Sequence, residues 1–479
     1  MENYINKLLE QVRFTKAHKM IADEIRSHME DQIKANISEG MEPEAAEKRA
    51  VEDMGDPVEA GVSLDRVHRP QIAWGVIIAA VVIAIIAIIV HIYMSNEVIT
   101  GYKISISGGR LVSEGTLFAV YTIEGIVVML LLYLVDYTTI AKYSKLVATV
   151  LLGANFVSSY AYFTMRAING VPGMGEAGFF HLLCARMYGY ASSLIVLMIP
   201  LFAGILYKYK GQKTGALVKS LLWIFATAVC MSYKTGIGWE HSSTVVMAFC
   251  MLIELTVAIK KEWIKVPKIP AIASAWSLFT VIPVAITGLL YKNRMLEYGH
   301  MERIRSFFIP NTEMNRIKEI NSGLVLIGSG SVSRLGGKVN VSTKNLLGQI
   351  RWITHEYILT GIGATLGIAV VLAVVIAVAG LIFLGIISSC KSKNQLGQVM
   401  GSGCMMWLAL YAVVNICVGF GILSPYFGSF FPFLSYNRLS TSYAFLGIIL
   451  SIYKYKNAYP AHVDIGILKK KKELDKECV

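Results

Sequence analysis

The sequence predicts an all-α, polytopic membrane protein with about ten transmembrane helices and a small soluble helical domain at its N-terminus. Three observations predict it. Mean hydropathy is +0.55, and 55% of the 479 residues are hydrophobic against 16% charged, where a soluble domain averages about 25% charged. From residue 71 onward the chain reads as a series of apolar runs, several near the ~20 residues that a helix needs to cross a bilayer. Residues 1–70 differ: they hold 10 Lys/Arg and 15 Asp/Glu and show a helical stripe instead of continuous apolarity.

Within residues 1–70, Met20, Ile21, Ile25, Met29, Ile33 and Ile37 recur at three- and four-residue spacing, with Asp23, Glu24, Arg26, Glu30, Asp31 and Lys34 elsewhere around the helix. Gly40 is placed to end that helix. Pro43 opens a second one, whose first turn is acidic (Glu42, Glu44, Glu47), as the helix dipole favours. Met54-Gly55-Asp56-Pro57 breaks it. This stretch resembles the helical prefix domain found ahead of various bacterial membrane proteins. It reads either as a packing appendage or as a docking site for a cytoplasmic partner.

The apolar runs fall near 71–94, 115–136, 146–164, 180–207, 216–233, 242–259, 270–291, 357–388, 399–423 and 440–454. The run at 357–388 exceeds what one crossing needs and is expected to tilt or project. Lysines cluster at 142–145, 208–213, 260–268, 391–393 and 469–472, all on one side if the N-terminus is cytoplasmic. The positive-inside rule then puts both termini in the cytoplasm. The domains expected are residues 1–70, a membrane domain 71–455 and a basic tail 456–479. An external loop, 292–355, stands out with ten Lys/Arg against four Asp/Glu.

Net charge is +13, but most of the positive charge sits at the ends of apolar runs, which argues against nucleic-acid binding. The seven cysteines (Cys184, Cys230, Cys250, Cys390, Cys404, Cys417, Cys478) show no CxxC spacing and read as small buried hydrophobes. There is no GxxxxGK[ST] loop to bind ATP. Glu124 and Glu254 lie inside apolar runs, where an acid is costly, so both are expected to face the bundle. A cavity, or pairing with a Tyr or Ser across a helix interface, would account for them equally well.

The second half carries an ordered set of motifs: Arg303-Ile-Arg305-Ser-Phe307-Phe-Ile-Pro310, then Ile327-Gly328-Ser329-Gly330, then Thr354-His355-Glu356-Tyr357-Ile358-Leu359 with Gly363-Ala364-Thr365-Leu366-Gly367. Asn415-Ile416 follows, and Pro432-Phe433-Leu434-Ser435-Tyr436-Asn437-Arg438 closes the set. In order and spacing this half resembles the shape, elongation, division and sporulation family of bacterial membrane proteins, the FtsW/RodA/SpoVE type. Glu356 stands where the family has its essential Asp. Ala364 and Thr365 replace two family acids, Asn437 and Arg438 replace paired glycines, and the Pro-Asp-Leu-Gly motif survives only as Thr235-Gly236-Ile237-Gly238.

The resemblance implies an inverting peptidoglycan glycosyltransferase that polymerises lipid II, partnered by a single-span class B penicillin-binding protein. Such chemistry needs a base for the attacking sugar hydroxyl, and Glu356 is the candidate, with His355 beside it. It also needs positive charge for the departing pyrophosphate. Arg303, Arg305, Arg351 and Arg438 are the candidates, because guanidinium grips phosphate with two prongs. A divalent cation, Mg or Mn, could share that task, although the sequence identifies no ligand set for it. Ser435 is placed to shape its loop and contact substrate, and Gly328 and Gly330 permit tight turns. Two other readings stand beside this one: a catalytically silent scaffold that recruits a transpeptidase, and a transporter of lipid-linked precursor.

Overall fold

A computed structural model describes residues 1–97, 103–106, 110–169, 179–234, 241–293, 301, 304–305, 309–310, 312–327, 356–424, 428–436 and 438–459. The architecture is that of an all-α polytopic membrane protein. Among the described residues, nine helices are long and apolar enough to cross a bilayer.

The N-terminal residues form four helices, α1 (Glu2–Glu10), α2 (Thr15–Ser38), α3 (Pro43–Asp53) and α4 (Pro57–His68). Their starts and stops are local chemistry. Gly40 and Gly55 take positive φ after α2 and α3. Pro43 and Pro57 occupy first-turn positions where an N–H would be unsatisfied anyway, and the Asp56 carboxylate accepts the Val58 N–H at 3.0 Å. Tyr4, Leu8, Val12, Ala17, Ile21 and Met29 form a common core. The expected stripe on α2 ends early: Ile37 is exposed, and buried Asn36 donates to the Ala46 carbonyl instead.

The spans begin with α5 (Trp74–Glu97). A short antiparallel hairpin, β1 (Lys103–Ile106) and β2 (Arg110–Ser113), then leads into α6 (Glu114–Leu134). Next come α7 (Tyr137–Asn169), α8 (Phe179–Leu194), α9 (Met198–Lys208), α10 (Thr214–Lys234) and α11 (His241–Lys260). A seventh crossing joins α12 (Lys268–Trp276) to α13 (Ile282–Lys292) through a π-helical turn at Ser277–Val281. That turn lies just before Pro283, which lacks the N–H needed for a regular ladder. After α14 (Thr312–Ser322) come α15 (Ile358–Leu366), α16 (Ile368–Cys390), α17 (Gln395–Gly419) and α18 (Leu439–Lys454).

Three expectations need correction. The long run at 357–388 neither tilts nor projects as one helix. It breaks at Gly367, whose φ of +97° suits only glycine, into the short α15 and the span α16. The first amides of α16 are satisfied from outside: Ile368 and Ala369 N–H donate to the Val325 and Leu326 carbonyls, both at 3.0 Å. Glu124 is exposed on α6 and does not face the bundle. Its neighbour Gly125 faces α18, and one residue of helix turns the chain about 100°. Finally, Cys390 is exposed, and among the described cysteines only Cys250 and Cys404 are buried.

The last apolar run forms α18, shorter than the nine spans at 16 residues, about 24 Å of helix. It lies tightly against α6 because glycines face the contact. A Cβ on Gly125 would lie 2.5 Å from Tyr443 Cδ2, and one on Gly447 2.5 Å from the Met129 carbonyl oxygen. The second contact is with backbone, so relief requires a helix to move. Gly447→Ala is expected to destabilise the protein by about 1–3 kcal/mol, read as a lower midpoint of thermal unfolding in detergent.

The N-terminal helices are seated on one end of this bundle, here termed the N-terminal face. Phe14 stacks on Tyr455 (centroids 5.5 Å) and lies edge-on to Tyr459 (6.4 Å). Gln71 N–H donates to the Lys454 carbonyl at 3.0 Å, and His68 Nδ1–H to the Asn457 carbonyl at 2.6 Å. At the centre is Asp136, buried in the turn between α6 and α7. Its carboxylate accepts from Lys16 Nζ at 2.7 Å, from the Tyr459 hydroxyl, and from Thr138 N–H and Oγ1–H.

Candidate functional site

The opposite face of the bundle collects the motif residues that the structure describes. Each is placed by the end of a helix or by the loop leading to one. The segment Phe430–Ser435 is not a surface loop: Phe430, Phe431, Phe433 and Leu434 are buried with the main core. Four contacts hold it there. Phe431 N–H donates to Ser435 Oγ at 2.7 Å, and Ser435 N–H returns to the Phe431 carbonyl at 2.9 Å. His91 Nε2–H donates to the Leu434 carbonyl at 2.7 Å, with its ring stacked on Phe118 (centroids 3.6 Å). Tyr436 closes the row edge-on to Tyr121 (5.1 Å). Ser435 is fully buried, so its hydroxyl braces the loop and does not open to solvent.

Two residues in the loop, Phe433 and Arg438, take positive φ (66° and 61°) although they carry side chains. Left-handed backbone at a non-glycine residue costs roughly 1–2 kcal/mol. Arg438 stands where the family resemblance calls for glycine, and it is half-buried at the start of α18.

Glu356 lies just before α15, half-buried, with Oε2 withdrawn from solvent. Its backbone is tied to the end of α17: Asn415 Nδ2 donates to the Glu356 carbonyl at 2.8 Å and to Ser429 Oγ at 3.1 Å. One turn further on, the Gly419 carbonyl accepts from Thr360 Oγ1 (3.0 Å) and from Asn321 Nδ2 (2.8 Å). The last turn of α17 thus gathers three chain segments: the end of α14, the Glu356 corner and the start of the buried loop. Asn415→Ala is expected to lose about 1–3 kcal/mol of stability, because two tethers vanish and Ser429 loses a buried partner. Faster proteolysis near residue 356 would report it.

The cations are distributed unevenly. Arg305 is exposed at the same face. The helix α14 lies with Met314, Ile317 and Ile320 buried and leaves Arg316 and Lys318 outward. Arg303, Arg351, Gly328, Gly330 and His355 lie outside the described residues. Ala364 and Thr365 are buried in α15, and Thr365 Oγ1–H donates to the Gly361 carbonyl at 2.8 Å. Among the described residues no group of three His, Cys, Asp or Glu side chains could ligate a metal. Glu356 itself offers one carboxylate.

Beneath this face, between α5 and α16, is an apolar cavity of about 420 Å³. Ile83 and Ile86 of α5, Val370 and Val374 of α16, and Ile327 and Leu434 from the two motif loops line it. A lipid tail would fit such walls, since they ask for no hydrogen bonds.

Sequence reading missed His91. Its signal was a lone imidazole within the first apolar run, where an ionisable ring needs a partner. Asn415 was visible as part of a motif, but nothing in one dimension joins it to Glu356, 59 positions away.

No family model matches this chain, and no curated protein does either. Among solved structures, a chain from a peptidoglycan synthase complex that coordinates polymerisation and crosslinking is similar to it. The TM-score is 0.52 at 15% identity, covering 81% of this chain and 99% of the other. At that identity the likeness is one of fold.

Proposed function

We propose that this chain is a peptidoglycan glycosyltransferase-like protein of the bacterial cell membrane, polymerising lipid II into glycan strands for cell-wall synthesis. In this reading both termini are cytoplasmic, residues 1–70 are a cytoplasmic domain, and the motif-bearing face is external. The single observation that carries it is the Asn415 tether. It joins Glu356, the acid at the family's Asp position, to the buried loop above a cavity fit for a lipid tail.

The roles follow from charge and geometry. Glu356 takes the proton from the attacking sugar hydroxyl as the new glycosidic bond forms. Arg438 and Arg305, with Arg303 and Arg351, oppose the charge that grows on the leaving pyrophosphate. Gly328 and Gly330 are assigned to substrate binding on the resemblance alone. A bound Mg or Mn would supply further positive charge at the pyrophosphate; with no three-ligand group among the described residues, substrate oxygens and water would supply most of its shell. A class B penicillin-binding protein is the partner this reading calls for.

A second reading is favoured by one feature. Ala364 and Thr365 bury uncharged side chains where the family resemblance calls for two acids, which suits a scaffold that recruits a transpeptidase without polymerising. The test is lipid II polymerisation by the purified protein with its transpeptidase and Mg or Mn. Glycan strands are expected. If the protein binds the transpeptidase but makes no strands with either metal, the scaffold reading stands in place of the enzyme.

A further inference from the structure

Two helices of the bundle interior, α11 and α17, run antiparallel with a register that side chains define. Tyr411 OH donates to Ser243 Oγ (3.1 Å), Lys261 Nζ to Gln398 Oε1 (2.7 Å), and Trp263 Nε1–H to Gln395 Oε1 (2.7 Å). Between these pairs, Glu254 points at Gly403. A Cβ there would collide with the carboxyl group, so the missing side chain makes its berth. Glu254 is 0% exposed, and neither carboxyl oxygen has a hydrogen-bond partner among the described residues. About 9 Å of helix separate it from Lys260 at the N-terminal face.

The surroundings decide what such a group can bind. Beside it are the thiols of Cys250, on its own helix, and Cys404 on α17, both buried. From α9, only apolar residues lie between Met198 and Leu206, and Lys208 beyond them donates to the Lys142 carbonyl. Lys219 of α10 lies over the Tyr209 ring, and Cys230 Sγ is turned to the Leu152 carbonyl. Lys268 of α12 pairs with Glu262. Among the described residues no cation therefore reaches Glu254 to offset a negative charge, and an unpaired buried carboxylate costs far more than the neutral acid. Two thiols offer a hard metal ion no oxygen shell.

On the same two helices, further buried polar atoms have no partner among the described residues: Thr244 Oγ1, Trp407 Nε1 and Asn415 Oδ1. Gly403, Trp407, Tyr411 and Asn415 recur every four residues, and because each such step turns the helix by about 40° they wind about a third of the way round α17 over about 18 Å. Water is the partner such groups recruit. We propose that Glu254 is a proton-binding site inside the membrane, served by water recruited to the unpartnered groups that wind along α17 from Gly403 towards Asn415. The carboxyl O–H bond forms as water delivers a proton and breaks as the proton returns to water. The proposal is independent of the glycosyltransferase reading.

The experiment is infrared spectroscopy of the full chain in lipid nanodiscs, comparing wild type with Glu254→Gln, which keeps size and removes the acid. The expected result is a protonated-carboxyl C=O band that Glu254→Gln loses and that shifts down in D2O. The difference spectrum removes the contribution of Glu124. Gly403→Ala should shift or abolish the same band, and Trp407→Phe with Thr244→Val should slow its response to D2O. A wild-type spectrum identical to that of Glu254→Gln in the carbonyl region overturns the proposal. So does a band that stays put in D2O.

Discussion

Replacing Glu356 by Gln is expected to lower the rate of glycan polymerisation by about 100- to 10,000-fold, the usual contribution of a general base. The substitution preserves size and leaves the backbone tether intact, because Asn415 holds the Glu356 carbonyl and not its carboxylate. Thermal stability and transpeptidase binding should therefore be unchanged. Polymerisation of labelled lipid II, read on a gel, is the measurement. Asp at this position keeps the charge but withdraws it by one methylene, so Glu356→Asp should retain part of the activity. Full activity in Glu356→Gln would remove it from the mechanism and assign the base to another group.

The second large effect is expected at the N-terminal face. Asp136 is buried and accepts from Lys16, Tyr459 and Thr138 at once. Asp136→Ala strands several donors and should weaken the seating of α1–α4 by about 2–3 kcal/mol. Lys16→Ala should cost less than about 1 kcal/mol, because its ammonium is half exposed and water can replace the pair. Limited proteolysis between His68 and Trp74 would compare the two variants. Equal cleavage in both would show that Asp136 is not the centre of the contact.

The same network sets a pH window. Burial pushes the Asp136 carboxyl up, but hydrogen bonds from Lys16, Tyr459 and Thr138 outweigh it and leave the group below its ordinary value of 3.8. A lowered carboxyl stabilises the seated form above the ordinary value and loses that contribution as pH falls through the folded one. Tyr459 moves the other way: burial, then its bond to Asp136, raise the phenol above 10.0. Its contribution is present below that value and is lost only as pH rises through the folded one. The contact should therefore hold from about pH 5 to about pH 9, and acid below the Asp136 value should release it.

Much of the architecture was legible in one dimension. Nine of the ten apolar runs correspond to helices long and apolar enough to cross, among the described residues, and the last run to the shorter apolar α18. The reason is that hydrocarbon forces each span to satisfy its own backbone and so imprints length and apolarity on the sequence. Pro43, Pro57, Gly40 and Gly55 marked helix ends for equally local reasons. The order of Glu356, Asn415 and the Pro432–Arg438 segment was also readable.

Relations across the bundle were not. Whether Glu124 or Glu254 faces inward depends on helix phase, and that is set by which glycines allow a neighbour close: Gly125 against Tyr443, Gly403 against Glu254. The break at Gly367 was hidden in a continuous apolar run, since the carbonyls that cap α16 come from Val325 and Leu326, more than 40 positions upstream. His91 gained its role only when Leu434 arrived beside it. Length, apolarity and turn residues are properties of a segment, and the sequence by itself determined them. Pairings between segments come from packing, and only the tertiary structure decided those.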